Sequence, residues 1–351
     1  MHSFVGTNAN SVWQAAAKDL LASGYDQPSR AGPTKEIRPV AIQISDSRDR
    51  IVFARPMNPA FAVAEVLWIL AGSDDAGFVE FWNPRMKDYV DPGARRLHGA
   101  YGARLGSRPK LSRRAEAILR GDITKQPTPI DQLKRSEQIL THSPATRQLV
   151  LQIWDKEVDL PNPDPVSNDV PCNVASQLLV RGGQLEWFQL MRSTDIVWGL
   201  TYNLVQWTTL QEIVAGWTGH GIGTFTLVSD SLHVYRRHLD SLSAWATAMP
   251  PVGLGRPSDL GVARYSMWEQ LFEKVVDDAL DIMDARSERE ILAAADRHSD
   301  LPGGYREWLF LLAADGLRRQ GHEKQARELV LEAGKYWSTS WLAWADNRGR
   351  T

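Results

Sequence analysis

Cysteine is nearly absent from this sequence, and so is the spacing of a metal site. The 351 residues include one cysteine, Cys172, and eight scattered histidines. A lone cysteine excludes an internal disulfide and a cysteine-rich zinc site, and the histidines lack ligand spacing, so we expect no bound metal. A chain without disulfides is typical of a reducing compartment, and we therefore expect a cytoplasmic protein.

Long apolar runs and an excess of one charge are also missing. No run approaches the roughly 18 residues that a membrane span needs, and the first segment, MHSFVGTNANSVWQ, lacks the charged and apolar regions of a secretory signal. Lysine and arginine number 40 against 42 aspartate and glutamate, which gives a formal net charge of −2. This balance provides no bulk field toward nucleic acid or an acidic membrane, so we expect neither among the partners.

Helix and strand patterns fill most of the first 250 residues. Hydrophobic residues make up 43% of the chain, which is ample for a core. Residues 11–24 predict a helix, and a second helix begins at Asn58 as its cap, with Pro59 in its first turn. The segment RPVAIQISDSRDRIVFA predicts a hairpin around Asp46. The segment SLHVYRRHLDSLSAW predicts the start of another helix.

The character of the sequence changes near residue 250. The segment MPPVGLGRPSD is typical of a linker, and the remaining residues predict helices without a catalytic motif. We therefore expect a catalytic domain over residues 1–250 and a helical C-terminal extension over residues 251–351.

The stretch from Asp169 to Asn203 predicts a β-hairpin that contains the only cysteine. If Gly182 and Gly183 are the two central turn residues, Arg181 pairs with Gln184. Carried down the ladder, this register places Cys172 opposite Ser193 and Asn173 opposite Arg192, and a bulge would shift it by one residue. A cation near the thiol favours the thiolate, which is the nucleophilic form.

Two side chains have competing interpretations. A lone cysteine such as Cys172 is usually a buried structural residue, but an arginine beside an inert apolar site is costly. A cysteine protease would need a histidine base, for which His233 is a candidate, and no protease motif surrounds the thiol. Glu65 lies in the most apolar part of its predicted helix, so its carboxylate is exposed, paired or functional.

The order of the motifs resembles the thymidylate synthase family. Members carry Pro-Cys-His, then Arg-Ser-x-Asp-x-x-x-Gly-x-Pro-x-Asn, then His-x-Tyr, and this sequence has PCN, RSTDIVWGLTYN and HVY in that order. Upstream, SRAG, AEVLWILAG, EFW, HGAYGARLG and PATRQLVLQIW resemble further family segments, so the resemblance covers roughly residues 12–240. It implies a homodimer with an α+β fold, in which a mixed β-sheet packs with helices.

The resemblance also implies a covalent one-carbon transfer. The Cys172 thiolate would add to C6 of a pyrimidine nucleotide, and C5 would then attack the methylene of the co-substrate 5,10-methylenetetrahydrofolate. Glu65 would relay protons toward the C4 side, Tyr101 would assist removal of the C5 proton, and Asn173 belongs to the polar network near C4.

The remaining roles follow from the same motifs. The phosphate would be held by Arg30, Arg192, Ser193 and the partner subunit's Arg147, the base by Asn203, the sugar by His233 and Tyr235, and the folate by Trp82, Asp195 and Gly199.

This sequence departs from the family pattern near the base and at the C-terminus. Asn173 replaces the histidine, Gln148 follows Arg147 where a second arginine is usual, and Thr201 replaces the proline. The C-terminal residues do not resemble the tail that shields the site from water during hydride transfer. We therefore expect water to replace hydride, so that 5-hydroxymethyl-dUMP is favoured over dTMP as the product.

The base and the activity have alternatives. Family members that act on cytosine nucleotides tend to carry aspartate at the position of Asn203, so the amide predicts dUMP as the substrate. The change at Asn173 keeps a dCMP or CMP 5-hydroxymethylase as the second interpretation. The third is an inactive scaffold whose helical region binds a partner protein, which gives no chemical reason for Cys172, Glu65 and Asp195 to occur together.

Overall fold

The computed structural model describes residues 1–121, 130–160, 167 and 169–348. Mixed β-sheets packed with many helices give an α+β fold, as the resemblance implied. Within these ranges, no helix has both the length and the apolar character for crossing a membrane.

The strands form two sheets. The first has the order β1-β4-β9-β7-β6-β5 and the second the order β2-β3-β10-β8. The pairs β1–β4, β7–β9 and β10–β8 are parallel and the other pairs are antiparallel. The bounds are β1 (His2–Gly6), β2 (Tyr25–Gln27), β3 (Thr34–Ile37), β4 (Val40–Ile44), β5 (Val150–Gln152), β6 (Asn173–Arg181), β7 (Gln184–Met191), β8 (Thr194–Asp195), β9 (Gly221–Ser229) and β10 (Leu232–Tyr235).

The helices cover the sheets and make up the C-terminal region. Their bounds are α1 (Ala9–Ser23), α2 (Pro59–Leu70), α3 (Ala76–Trp82), α4 (Tyr101–Arg104), α5 (Arg113–Leu119), α6 (Gln132–His142), α7 (Lys156–Asp159), α8 (Gly199–Thr218), α9 (Leu239–Thr247), α10 (Tyr265–Asp284), α11 (Glu288–Ala295), α12 (Gly303–Arg319), α13 (Glu323–Leu329) and α14 (Gly334–Asn347). Short 3₁₀ turns span Pro84–Tyr89, Arg236–His238 and Val330–Ala333.

The hairpin of β6 and β7 has the predicted turn. Gly182 and Gly183 adopt φ values of 56° and 77°, which glycine reaches without steric cost, and Arg181 pairs with Gln184. The register then shifts by one residue between Asn173 and Ala175. The register predicted without a bulge is therefore wrong at the end of the hairpin that carries Cys172.

The shifted register changes the partners of the cysteine segment. Asn173 pairs with Met191 rather than with Arg192. The backbone N–H of Arg192 donates to the Cys172 carbonyl at 2.9 Å, so Arg192 takes the place that the uninterrupted register gave to Ser193.

Two predicted elements differ from the structure. The segment after β4 is not a strand, because its backbone donors bond to side chains: Ile51 N–H donates to the Tyr336 hydroxyl at 2.8 Å and Ala54 N–H to Asn10 at 2.7 Å. The His-x-Tyr segment is strand β10 rather than the start of a helix, because it pairs with both β3 and β8. A strand turns alternate side chains to one face, so His233 and Tyr235 share a face.

The C-terminal helices pack against the rest of the chain. Helices α12 and α14 lie against α2, and the apolar core continues without a break into residues such as Trp308 and Trp337. The fully buried Glu212 of α8 forms an ion pair with Arg50 and accepts a hydrogen bond from Leu260 N–H at 3.1 Å. The domain boundary near residue 250 stays a prediction.

Candidate active site

Cys172 lies at the start of the hairpin, immediately before the bulge. The thiol is half-buried, and the Ser193 hydroxyl lies 3.9 Å from its sulfur. The thiol and this hydroxyl are therefore neighbours, as predicted, although the bulge places Arg192 rather than Ser193 opposite Cys172.

The Arg192 guanidinium binds the backbone that leads to the cysteine. It donates to the carbonyl oxygens of Val170 at 2.9 Å and Pro171 at 3.0 Å, and its Nη1 lies 3.4 Å from the Ser193 hydroxyl. The side chain remains exposed. Arg192 thus fixes the approach of the chain to the thiol and keeps a cationic surface beside Ser193.

A chain of buried amides runs behind the thiol. Gln189 on β7 donates to the Asn173 side-chain oxygen at 2.9 Å, and Asn173 donates to the Asn203 oxygen at 3.1 Å. Asn203 in turn donates to the Gly199 carbonyl at 2.8 Å. Because each amide has a fixed donor and acceptor direction, this relay sets the orientation of Asn203.

Asn203 lies in the first part of α8 and does not cap it, because the helix already begins at Gly199. The relay therefore joins the hairpin to α8. A Cβ at Gly199 would lie 3.1 Å from the Thr194 hydroxyl and 3.7 Å from the Asn203 amide nitrogen, so this glycine lets β8 and α8 approach each other.

Tyr101 opens helix α4 next to the relay and the thiol. A hydrogen bond with Asn173 lowers the pKa of its hydroxyl, but burial is the larger cause and the charge of Cys172 acts in the same direction, so the pKa is well above its usual range. Tyr101 is therefore a neutral hydroxyl at physiological pH that can exchange a proton with a neighbouring group.

Eleven of the twelve residues of α2 are buried, and the twelfth, Glu65, is partly buried. Among the residues that the structure describes, its Oε2 atom has no hydrogen-bond partner. Burial raises the pKa of the carboxyl to about 8, although the hydrogen-bonding neighbour Gln206 lowers it. Near neutral pH this group holds a proton that it can donate.

Strands β8 and β10 carry the predicted sugar and folate residues. Asp195 and His233 are paired across the two parallel strands, and the His233 and Tyr235 rings lie 5.6 Å apart. Burial raises the pKa of Asp195 to about 6, although Val197 N–H donates to its carboxylate at 2.8 Å. Burial also lowers the pKa of His233, so its imidazole is neutral at pH 7.

The two remaining predicted arginines are exposed. Arg30 belongs to a loop that Arg237 holds through the Ala31 carbonyl at 3.1 Å, and Ser29 of this loop is a hydrogen-bond neighbour of Tyr235. The loop thus lies beside the sugar-binding strand. Arg147 precedes β5, the outermost strand of the larger sheet.

Trp82 does not line an open cleft. It ends helix α3 with 1% of its surface exposed, and its carbonyl accepts a hydrogen bond from Arg319. An aromatic residue that the sequence did not single out, Trp198, is more exposed and has Arg55 at 4.7 Å and Arg85 at 4.5 Å over its ring. Within the described part of the chain, the Nε and Nη1 atoms of buried Arg55 have no hydrogen-bond partner.

Tyr89 lies near several of these groups. Partial burial raises the pKa of its hydroxyl, and the charges of Asp195, Tyr235, Cys172 and Asp169 act in the same direction. Neither Tyr89 nor Asp169 lies in a motif that pattern analysis could identify, because both reach the cleft only through the folding of loops.

Comparison with known proteins gives the family. A sequence model of the thymidylate synthase family matches residues 12–251. A deoxyuridylate hydroxymethyltransferase of Bacillus phage SP01 is 34% identical over 67% of this chain and 59% of its own length, and one of Pseudomonas phage M6 is 29% identical over 71% and 67%. A thymidylate synthase of Bacillus licheniformis is 25% identical over 62% of this chain and 72% of its own length. This chain belongs to the thymidylate synthase family.

Proposed function

We propose that this protein transfers the one-carbon unit of 5,10-methylenetetrahydrofolate to C5 of dUMP and releases 5-hydroxymethyl-dUMP. The observation that carries the proposal is the convergence of a half-buried thiol, a neutral tyrosine hydroxyl and an oriented amide, joined through Asn173: Cys172, Tyr101 and Asn203. A nucleophile, a proton-transfer group and a base-binding group are the parts that this reaction requires.

The reaction begins with covalent addition. The Cys172 thiolate adds to C6 of the uracil ring, which makes C5 nucleophilic toward the methylene of the co-substrate. The C5 proton then leaves with the help of Tyr101, and the tetrahydrofolate departs. Glu65, whose pKa near 8 keeps it protonated at neutral pH, supplies protons toward the C4 side and the departing amine.

The amide relay favours uracil over cytosine. The Asn203 oxygen already accepts from Asn173, so its second lone pair can accept from the uracil N3–H. One amide N–H donates to Gly199 and the other is left for O4. Cytosine has no N3–H and presents an amino group at position 4, so it would leave both Asn203 contacts unmade.

The phosphate site supports a homodimer. Exposed Arg30 and Arg192 and half-buried Ser193 would supply donors from one subunit, and Arg147 would come from the other. The strands next to Arg147 expose apolar side chains: 37% of Phe188, 38% of Leu190 and 55% of Val150 is accessible. A second copy of this sheet face would cover them.

The proposed folate site lies around β8 and Trp198. The Asp195 carboxylate suits the amino group and ring N–H of a pterin, and Trp198 offers a flat face. Arg55 has two buried donor atoms that no described residue pairs, and they could bind an anion. Gly199 keeps the approach open. Trp82 is too buried for direct contact in this conformation.

The product assignment rests on the site and on the relatives. Two of the related proteins are named as deoxyuridylate hydroxymethyltransferases. The C-terminal region hydrogen-bonds to residues such as Trp82, Asp131, Glu212 and Trp217, and none of these bonds within the described ranges reaches Cys172 or Glu65. A C-terminal region that forms no tail over the thiol leaves the site open to water, which supports the hydroxymethyl product.

A stalled covalent adduct tests the mechanism. A dUMP analogue with fluorine at C5 has no proton to lose from that carbon. The reaction with methylenetetrahydrofolate should therefore halt at the complex in which the nucleotide is bonded to both the thiol and the folate. We expect an intact-protein mass increase of one nucleotide plus one folate. Cys172→Ala should give no adduct, and the conservative control Ser243→Ala, on α9, should give the full adduct. Adduct formation by Cys172→Ala would contradict the proposal.

A further inference from the structure

The candidate active site contains a carboxylate, that of Asp169, to which the proposed reaction steps assign no role. Asp169 lies three residues before Cys172, and its Oδ2 atom accepts a hydrogen bond from Gly99 N–H at 2.8 Å. Among the described residues, Oδ1 has no hydrogen-bond partner. One oxygen is thus anchored, and the other is available to a ligand or to water.

The backbone packs closely around this carboxylate. A Cβ at Gly99 would lie only 2.5 Å from the Asp169 carbonyl oxygen, so the two segments touch. The Asp169 N–H donates to the Ser167 hydroxyl at 3.0 Å. The carboxylate position is therefore fixed on both sides, as precise proton transfer requires.

Asp169 also lies between the segments that carry the reacting groups. It precedes Cys172 by three residues, and its hydrogen bond from Gly99 N–H joins it to the chain two residues before Tyr101. Burial and the charge of Cys172 raise the pKa of the Tyr101 hydroxyl, and the charge of Asp169 acts in the same direction. The thiol bonds to C6 of the nucleotide, and Tyr101 acts at the neighbouring C5. A carboxylate near both residues is near the carbon attached to C5.

We propose that Asp169 is the general base that activates the water in the hydroxymethylation step, an inference that rests on the proposed function. After the folate leaves, the nucleotide carries an exocyclic methylene on C5 and a bond from C6 to Cys172. The water oxygen bonds to the methylene carbon while Asp169 takes one water proton. The methylene π electrons move toward C4 and form the enolate.

The final step restores the enzyme. The enolate re-forms the C5–C6 double bond and expels the Cys172 thiolate, and Asp169 returns its proton to solvent. Water supplies both the hydroxyl group and the released proton, so no oxidant or reductant is needed. The co-substrate leaves as tetrahydrofolate rather than dihydrofolate.

The electrostatic surroundings suit this role. Burial raises the pKa of Asp169 to about 6 and Asp91 also raises it, whereas the Gly99 N–H, His98 and the Arg104 guanidinium lower it. The carboxylate is then ionised at pH 7 but more basic than an exposed aspartate. A base with a pKa near the working pH is the efficient one.

Substitution with chemical rescue tests the assignment. We expect Asp169→Ala to lower the rate of 5-hydroxymethyl-dUMP formation by about 10²-fold or more, while a single-turnover release of tritium from [5-³H]dUMP continues. Added formate should restore part of the product rate, and chloride at the same ionic strength should not. A structural role would not respond to formate.

The comparison variants separate the possible failures. Asp240→Asn makes the same change at an exposed aspartate on α9 and should keep the wild-type product rate. If Asp169→Ala is too unstable to assay, Asp169→Asn retains an oxygen for Gly99 and should show the same loss without unfolding. An unchanged rate, or a loss that formate does not rescue in the Ala variant, would overturn the role of Asp169. If the wild type transfers no carbon, the proposed function itself fails.

Discussion

At Glu65, the surrounding apolar helix controls the state of a single proton. Eleven of the twelve residues of α2 are buried, and the loss of water raises the pKa of the carboxyl to about 8. The native state therefore binds a proton that the unfolded chain releases above its ordinary value of 4.5. The contribution of this group to stability falls as pH rises from about 4.5 to about 8.

Glu65→Gln should remove this pH dependence. Glutamine resembles the protonated carboxyl but cannot ionise, so we expect the variant to gain stability over the wild type as pH rises from 5 to 8, while losing product formation. Urea unfolding at several pH values measures the difference. Glu80→Gln on α3 is a control for charge and helix context. An equal stability difference at pH 5 and pH 8 would contradict the assigned protonation state.

A functional role for a single residue could be predicted from the sequence where the residue type is unusual for its surroundings. Glu65 lies in an apolar helix and Cys172 is the only thiol, so both could be identified in advance. Trp198 and Asp169 could not, because an aromatic or acidic loop residue is ordinary until folding places it in a cleft. Trp82 illustrates the opposite case, since a tryptophan that matched a family segment is buried in the core.

At the scale of elements, the junction of α2 and α4 holds Glu65 and Tyr101 together. A Cβ at Gly102 would lie 2.3 Å from the carbonyl oxygen of Ile69, which is backbone and cannot turn away. The close approach of α4 to α2 therefore depends on the absence of a side chain at this position.

Gly102→Ala should separate the two helices. We expect a loss of about 1–3 kcal/mol in the free energy of unfolding and a fall in kcat larger than any change in the KM for dUMP. Thermal unfolding and steady-state kinetics measure both. Gly303→Ala is the matched control, because its new Cβ would lie at an ordinary contact distance of 3.4 Å from the Ser258 side chain and alanine favours a helix. If Gly102→Ala matches that control in both its free energy of unfolding and its kcat, the enzyme does not require the close contact between α2 and α4.

The hairpin shows which features of an element its sequence reveals. The Gly182-Gly183 turn was predictable because only glycine adopts both φ values readily. The bulge between Asn173 and Ala175 was not, because it depends on contacts made elsewhere, including the amide chain from Gln189 to Asn203. Likewise, β10 forms a strand because two other strands flank it.

For the whole molecule, the C-terminal helices extend the apolar core that α2 belongs to. Helix α12 packs on α2, and Trp308 within it is 1% exposed. Tyr336 on α14 bonds both Ile51 N–H and Asp49. Helices α12 and α14 thus support the helix that carries Glu65.

Substitution and truncation test this support. Trp308→Ala should lower the free energy of unfolding by about 3–5 kcal/mol, whereas Met267→Ala, at a residue with 56% exposure, should have little effect. Deletion of residues 256–351 should abolish cooperative unfolding, because it uncovers apolar surface on α2. A truncated chain that unfolds cooperatively and retains activity would instead indicate an independent appendage.

Product identification tests the central claim most directly. The purified protein is incubated with 5,10-methylenetetrahydrofolate and either dUMP or dCMP, and the nucleotide product is weighed by mass spectrometry. We predict that dUMP gains CH₂O, that dCMP reacts far more slowly, and that the folate product is tetrahydrofolate. A gain of CH₂ with formation of dihydrofolate, or no gain by either nucleotide, would contradict the account.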